Sequence, residues 1–128
     1  MLINPEKAKA LFLTLNNRAN TSDVTAPTFG GTEIAQEGLL TYLGVVFDRQ
    51  LNFSKHVDRL IERATKGMDA LRAAAGRRAE ERHLCMLYRS LVLSVVDYGL
   101  PLAQLSDNQL GRLERLQNAC LRIITGCT

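Results

Sequence analysis

The sequence predicts an α+β fold in which a small antiparallel β-hairpin sheet is followed by a three-helix bundle. Three observations predict it. Up to position 53 the apolar residues fall in short runs of β-branched and aromatic types broken by turn residues. From Ser54 onward they recur at steps of three and four. The hydrophobic and charged fractions, 46% and 23%, are ordinary globular values over 128 residues, the size of one domain or of two small subdomains. That balance excludes a disordered tail, a collagen-like repeat and a low-complexity linker.

The β-rich part occupies residues 1–53. Residues 9–15 form a compact apolar run, and residues 24–29 and 32–36 are β-prone segments separated by Gly30-Gly31, a hairpin-turn signal. Residues 39–47 carry Tyr42, Val45, Val46 and Phe47, types that favour a pleated surface. Residues 16–22, rich in Asn, Thr and Ser, are expected to be the loop between the first two strands.

The helical part occupies residues 54–128. Ser54 is placed to cap the first helix, Val57, Leu60, Ile61, Ala64, Met68, Leu71 and Ala75 form its buried stripe, and Gly76 suits the C′ position. A second helix is expected over residues 79–97, with Leu84, Leu87, Tyr88, Leu91, Val92 and Val95 on one side and Met86, Leu93 and Val96 on the other. Being apolar on both sides, it is predicted to be the central one. Tyr98-Gly99-Leu100-Pro101 ends it. Ser106 with Gln109 then forms a capping box for a third helix, whose buried stripe is Leu110, Leu113, Leu116, Cys120, Ile123 and Ile124.

The longest apolar stretches, residues 91–96 and 10–15, fall far short of the ~20 residues of a membrane span, so no membrane partner is expected. Glu6, Lys7 and Lys9 stand where a secretory signal would be apolar, and an intracellular protein is expected, nuclear or cytoplasmic. Cys85, Cys120 and Cys127 show no Cys-x-x-Cys spacing and read as free thiols.

Catalytic sets are missing from the pattern. The acids are scattered, with Asp48 at a strand end, Asp58, Glu62 and Asp69 on one helix face and Glu80-Glu81 opening the next helix, so none makes a converging carboxylate pair. His83 and Cys85 are closely spaced but point to different faces, which leaves no zinc set, and Cys85 and Cys120 fall on or near apolar stripes where thiols are inert. No catalytic residue, metal ligand or cofactor is assigned to this chain.

The positive signal is arginine. Residues 1–47 carry a net charge of −1 and residues 48–128 a net +4, and the chain holds 12 Arg against 4 Lys. Arg is the better fork for phosphate oxygens. At about 100° per residue, Lys55, Arg59, Arg63 and Lys66 share one ribbon of the first helix, but Asp58, Glu62 and Asp69 run beside it. A phosphate track and a salt-bridged solvated face both fit that pattern. Arg72, Arg77, Arg78 and Arg82 cluster around the Gly76 turn, where the only nearby acids are Glu80 and Glu81 at a helix N-terminus. Arg112, Arg115 and Arg122 line the polar back of the third helix. Cations at loops and helix ends can grip a nucleic-acid backbone without reading its sequence.

Four blocks carry a family likeness: NPEKAKALFLT (residues 4–14), YLGVVFDRQLNFSKHV (42–57), LYRSLVLSVVDYGLP (87–101) and LERLQNACLRIITGCT (113–128). Their order and spacing resemble the C-terminal part of non-LTR (LINE-type) retrotransposon reverse transcriptases. The resemblance implies that Tyr42, Leu43 and Gly44 belong to a primer-grip hairpin at the palm edge, and that the helices form a thumb. It further implies a fragment of an RNA-directed DNA polymerase whose Tyr-x-Asp-Asp loop and Mg2+ ions belong to a palm region preceding Met1. The partner is then a primer-template duplex held without sequence preference, together with the polymerase palm. The chain departs from many relatives in having no Trp after the Tyr98-Gly99 pair.

Gly44 reads either as a point of close approach to a primer strand or as a strand bulge. His56 is expected to be exposed or part of the capping region, Tyr88 to lie in the core, and Tyr98 to rest its ring on the bundle with the hydroxyl in water. The rival to the thumb reading is a helical protein-interaction module, derived from a transposon or unrelated to one.

Overall fold

The computed structural model describes residues 7–15, 24–103 and 105–127. The loop expected over residues 16–22 lies outside them. The chain divides into two compact units, Met1–Phe53 and Ser54–Thr128.

The first unit contains β1 (Lys9–Leu11), β2 (Thr28–Phe29), β3 (Thr32–Glu33), β4 (Ala35–Glu37), β5 (Leu39–Tyr42) and β6 (Val45–Asp48). They pair two by two. β2 and β3 form an antiparallel hairpin across Gly30 and Gly31, whose φ values of 58° and 82° suit the primed turns that match strand twist. β5 and β6 form a second antiparallel hairpin with Tyr42 opposite Val45. The run over residues 39–47 is therefore two strands, folded back at Leu43 and Gly44. Both have positive φ, 48° and 83°, so Gly44 is the second central residue of a hairpin turn and not a bulge.

β1 pairs with β4 in parallel, unlike the other two ladders, with Lys9 opposite Ala35. Lys9 Nζ also meets Glu37 Oε1 at 3.0 Å. The connection through the β2–β3 hairpin is long enough to permit this crossover. After β6 the Asp48 carboxylate accepts the backbone N–H groups of Gln50 and Asn52, each at 3.0 Å. Phe47 and Phe53 pack edge to face at 6.0 Å, and among the described residues of this unit Val45, Val46 and Phe53 are the buried apolar ones.

The second unit contains α1 (Ser54–Gly76), α2 (Glu81–Tyr88), a π-helical turn (Arg89–Leu93), α3 (Ser94–Gly99), a 3-10 turn (Leu100–Leu102) and α4 (Asp107–Thr125). Tyr88, Arg89, Leu93 and Ser94 all keep right-handed helical dihedrals, so α2, the π turn and α3 are one continuous rod. The unit is a three-helix bundle. Asp58 on α1 meets Arg112 on α4, with Arg112 Nη1 2.7 Å from Oδ1, and Gln109 Nε2 donates to Ser54 Oγ at 3.5 Å. The two N-terminal ends thus lie side by side and α1 and α4 run parallel, while the rod runs back between them in sequence. Ala64, Met68, Leu71, Leu84, Val92, Leu116, Cys120 and Ile124 form the shared core.

Ser106 and Gln109 make the expected capping box, and Gly126, at φ 68°, closes the far end of α4. α1 packs against α2, the π turn, α3 and α4, and the rod in turn meets both α1 and α4. Two other expectations are corrected. Leu91, placed on the packed side of the second helix, is 37% exposed, whereas Val92 is 2% exposed. The cause is the π turn, whose wider winding advances less per residue than an α-helix and rotates the later residues out of phase. The α1 terminus also runs past Gly76. Ala79 N–H reaches the Ala74 carbonyl at 3.2 Å and Arg78 N–H the Ala75 carbonyl at 2.9 Å, the two bonds of a Schellman motif. Arg78 occupies its left-handed C′ position at φ 59°.

Candidate nucleic-acid interface

The turn joining α1 to α2 gathers Arg72, Arg77, Arg78 and Arg82 on one exposed stretch. The Schellman bonds fix the backbone there, and Ala79 packs against the core behind it. Arg72 Nη1 is 3.2 Å from Asp69 Oδ1. Arg77, Arg78 and Arg82 form no ion pair among the described residues. Of the neighbouring acids, Glu80 faces His83 Nδ1 at 3.8 Å and Glu81 opens α2, where a carboxylate complements the helix dipole. Three guanidinium groups therefore point to solvent with their hydrogen-bonding capacity available.

A left-handed arginine costs about 1 kcal/mol relative to glycine, which would serve as C′ residue without strain. Among the described residues four non-glycines have positive φ: Leu43, Leu51, Phe53 and Arg78. Two of them, Leu43 and Arg78, belong to the residues singled out from sequence. Backbone strain concentrates where function fixes a conformation.

Tyr42, Leu43 and Gly44 form the tip of the β5–β6 hairpin. Tyr42 is 63% and Leu43 71% exposed. An aromatic and an aliphatic side chain are thus presented to solvent on a tight turn, a shape suited to lying against a nucleotide strand through apolar contact.

The basic ribbon of α1 is partly neutralised. Lys66 Nζ meets Glu62 Oε1 at 3.0 Å, and Asp58 is engaged by Arg112. Arg63 and Lys66 also border a shallow groove of about 360 Å3 floored by Gly67, Ala70, Leu91 and Val95. The π turn that exposes Leu91 builds this floor, and 3.6-residue periodicity carries no sign of it.

His56 is buried, at 1% exposure, and corrects the expectation of an exposed residue. It lies against the Gly99 backbone; burial and the nearby Arg59 hold its pKa below the ordinary value. Cys120 is buried and burial raises its thiol pKa, partly offset by the Arg72 guanidinium. Cys85 is half-buried and Cys127 exposed. Tyr88 is partly buried against the core, and Tyr98 is 63% exposed. Among the described residues no three His, Cys, Asp or Glu side chains come together in a set that could hold a metal ion, and no helix is long and apolar enough to cross a membrane.

Two curated proteins of Drosophila melanogaster match nearly the whole chain. A probable RNA-directed DNA polymerase from transposon X-element is 30% identical over 132 residues, covering 98% of this chain. A probable RNA-directed DNA polymerase from transposon BS is 29% identical over 129 residues, again covering 98%. The chain is thus similar, over nearly its whole length, to part of two transposon RNA-directed DNA polymerases. It spans 14% of the length of each of these relatives. No family model and no solved structure matches it.

Proposed function

We propose that this chain is the primer-grip and thumb region of a retrotransposon reverse transcriptase and that it holds the primer-template duplex by its backbone. The α1–α2 turn carries the reading: Arg77, Arg78 and Arg82 are exposed and, among the described residues, without ion pairs, on a backbone held by a Schellman motif. Guanidinium forks match phosphate oxygens bidentately and neutralise them without contacting bases. The Tyr42-Leu43-Gly44 tip supplies the primer-grip contact, apolar and exposed on a two-residue turn. The similarity to transposon polymerases over nearly the full chain supports the same reading.

The residues present do not fit a magnesium site, because no set of carboxylates converges among the described residues. Nucleotidyl transfer belongs, on this reading, to a palm outside the chain, which is the partner of the β-rich unit.

Charge reversal tests the proposal. Arg77→Glu with Arg78→Glu abolishes duplex binding, whereas Lys55→Ala with Arg59→Ala, beside the acidic ribbon, weakens it less. Equal loss in the two variants would remove the turn from the interface. Purified chain given magnesium, a primed RNA template and nucleotides extends nothing above background.

A further inference from the structure

We propose that the cleft between the α2–α3 rod and α4 docks a protein segment presenting one Leu- or Phe-sized side chain flanked by lysines or arginines. The cleft has a volume of about 210 Å3, with Val96 and Leu100 on one wall and Leu110 and Leu113 on the other. Leu110 is 45% exposed although it falls on the apolar stripe of α4. Aliphatic walls offer water few hydrogen-bonding partners, so an apolar group entering the cleft gains burial that the fold leaves unmade.

Two carboxylates select the occupant. Asp97 on the rod and Glu114 on α4 also line the cleft, and neither forms an ion pair among the described residues. Apart from these two, residues 54–128 carry 12 cations against 6 acids. Among the described residues that line the cleft these two acids are the charged ones, and no Lys or Arg is among them, a local reversal of that charge. Such a site repels phosphate and complements cations on either side of an apolar anchor. It is thus distinct in chemistry from the arginine turn, and it does not depend on the nucleic-acid reading.

The test is a titration of the full chain, carrying 13C-labelled methyl groups, with the peptide acetyl-Lys-Lys-Leu-Phe-Lys-Lys-amide and with its counterpart bearing Glu in place of each Lys. The lysine peptide produces saturable shifts centred on the methyls of Val96, Leu100, Leu110 and Leu113. The glutamate peptide binds about tenfold more weakly or worse, a difference of about 1.4 kcal/mol. Two variants, Leu110→Lys and the pair Asp97→Asn with Glu114→Gln, each weaken lysine-peptide binding at least about fivefold while their thermal transitions stay in place. All three side chains are exposed, so these variants keep the fold. No shift at millimolar peptide, equal binding of both peptides, or undiminished binding in the Asp97→Asn/Glu114→Gln variant overturns the proposal. Shifts of the same methyls on raising protein concentration alone, or on adding duplex DNA, overturn it in favour of a second copy or of nucleic acid.

Discussion

The imidazole of His56 lies directly against Gly99. A Cβ built on Gly99 would overlap His56 Nε2 and come to 3.0 Å from Cε1 and 3.2 Å from Leu60 Cδ1. The first turn of α1 is thereby fastened to the end of α3, within the blocks NFSKHV and DYGLP. A buried imidazole in that position makes the bundle sensitive to protonation.

Burial is the main reason that the His56 pKa lies below its ordinary 6.5, with the Gly99 backbone opposing it and Arg59 adding to it. In the folded chain His56 therefore binds fewer protons than in the unfolded chain once pH falls below that value. Stability is fully present above about pH 6.5 and declines as pH drops toward the lowered native pKa. Melting temperatures at about pH 7.5 and 5.5 should show a loss in the native chain that His56→Gln largely removes.

Glycine substitutions on the helices should differ in sign. Gly67 lets α1 meet the backbone of the π turn, and an added Cβ would stand 2.6 Å from the Leu91 carbonyl oxygen. Gly67→Ala and Gly99→Ala should each cost about 1–3 kcal/mol, the clash outweighing a gain in helix propensity of about 1 kcal/mol. Gly76 and Gly111 have nothing within 4 Å of a built Cβ, and alanine there should stabilise by about 0.5–1 kcal/mol. Denaturant midpoints measure all four.

Arg78→Gly should separate stability from binding. Relief of the left-handed φ of 59° should stabilise the chain by about 1 kcal/mol, while the lost guanidinium weakens duplex affinity. Parallel unfolding and binding titrations of this single variant check both signs. A destabilised Arg78→Gly variant would contradict the Schellman assignment.

The β-to-helix boundary, the capping box and the stripe through Val57, Leu60, Ala64, Met68 and Leu71 were legible because period and cap chemistry are local. What failed to show depended on contacts distant in sequence or on an irregular winding. On a helical wheel with Lys55 at zero, His56 and Gly67 fall at about 100° and 120°, on the flank of the apolar stripe. Reading the stripe by apolar type alone leaves both out. The β5–β6 turn was hidden because Leu43 is not a residue type associated with positive φ, and the parallel β1–β4 pairing because nothing local encodes strand direction. Gly76 drew the C′ assignment that Arg78 takes. The π turn was invisible to a fixed 3.6-residue period, and it decides a mutational contrast. Leu71→Ala, fully buried, should cost about 2–5 kcal/mol, and Leu91→Ala, partly exposed on the groove floor, clearly less.

Salt dependence of duplex binding tests the arginine turn most directly. Each neutralised phosphate contributes about −0.9 to the slope of log K against log salt on B-DNA. Arg77, Arg78 and Arg82 are the members of the cluster without ion pairs among the described residues, so the slope should be about −3 and should fall in magnitude by about 2 in the Arg77→Ala/Arg78→Ala variant. Binding that ignores salt, or a slope unchanged in that variant, would contradict the account.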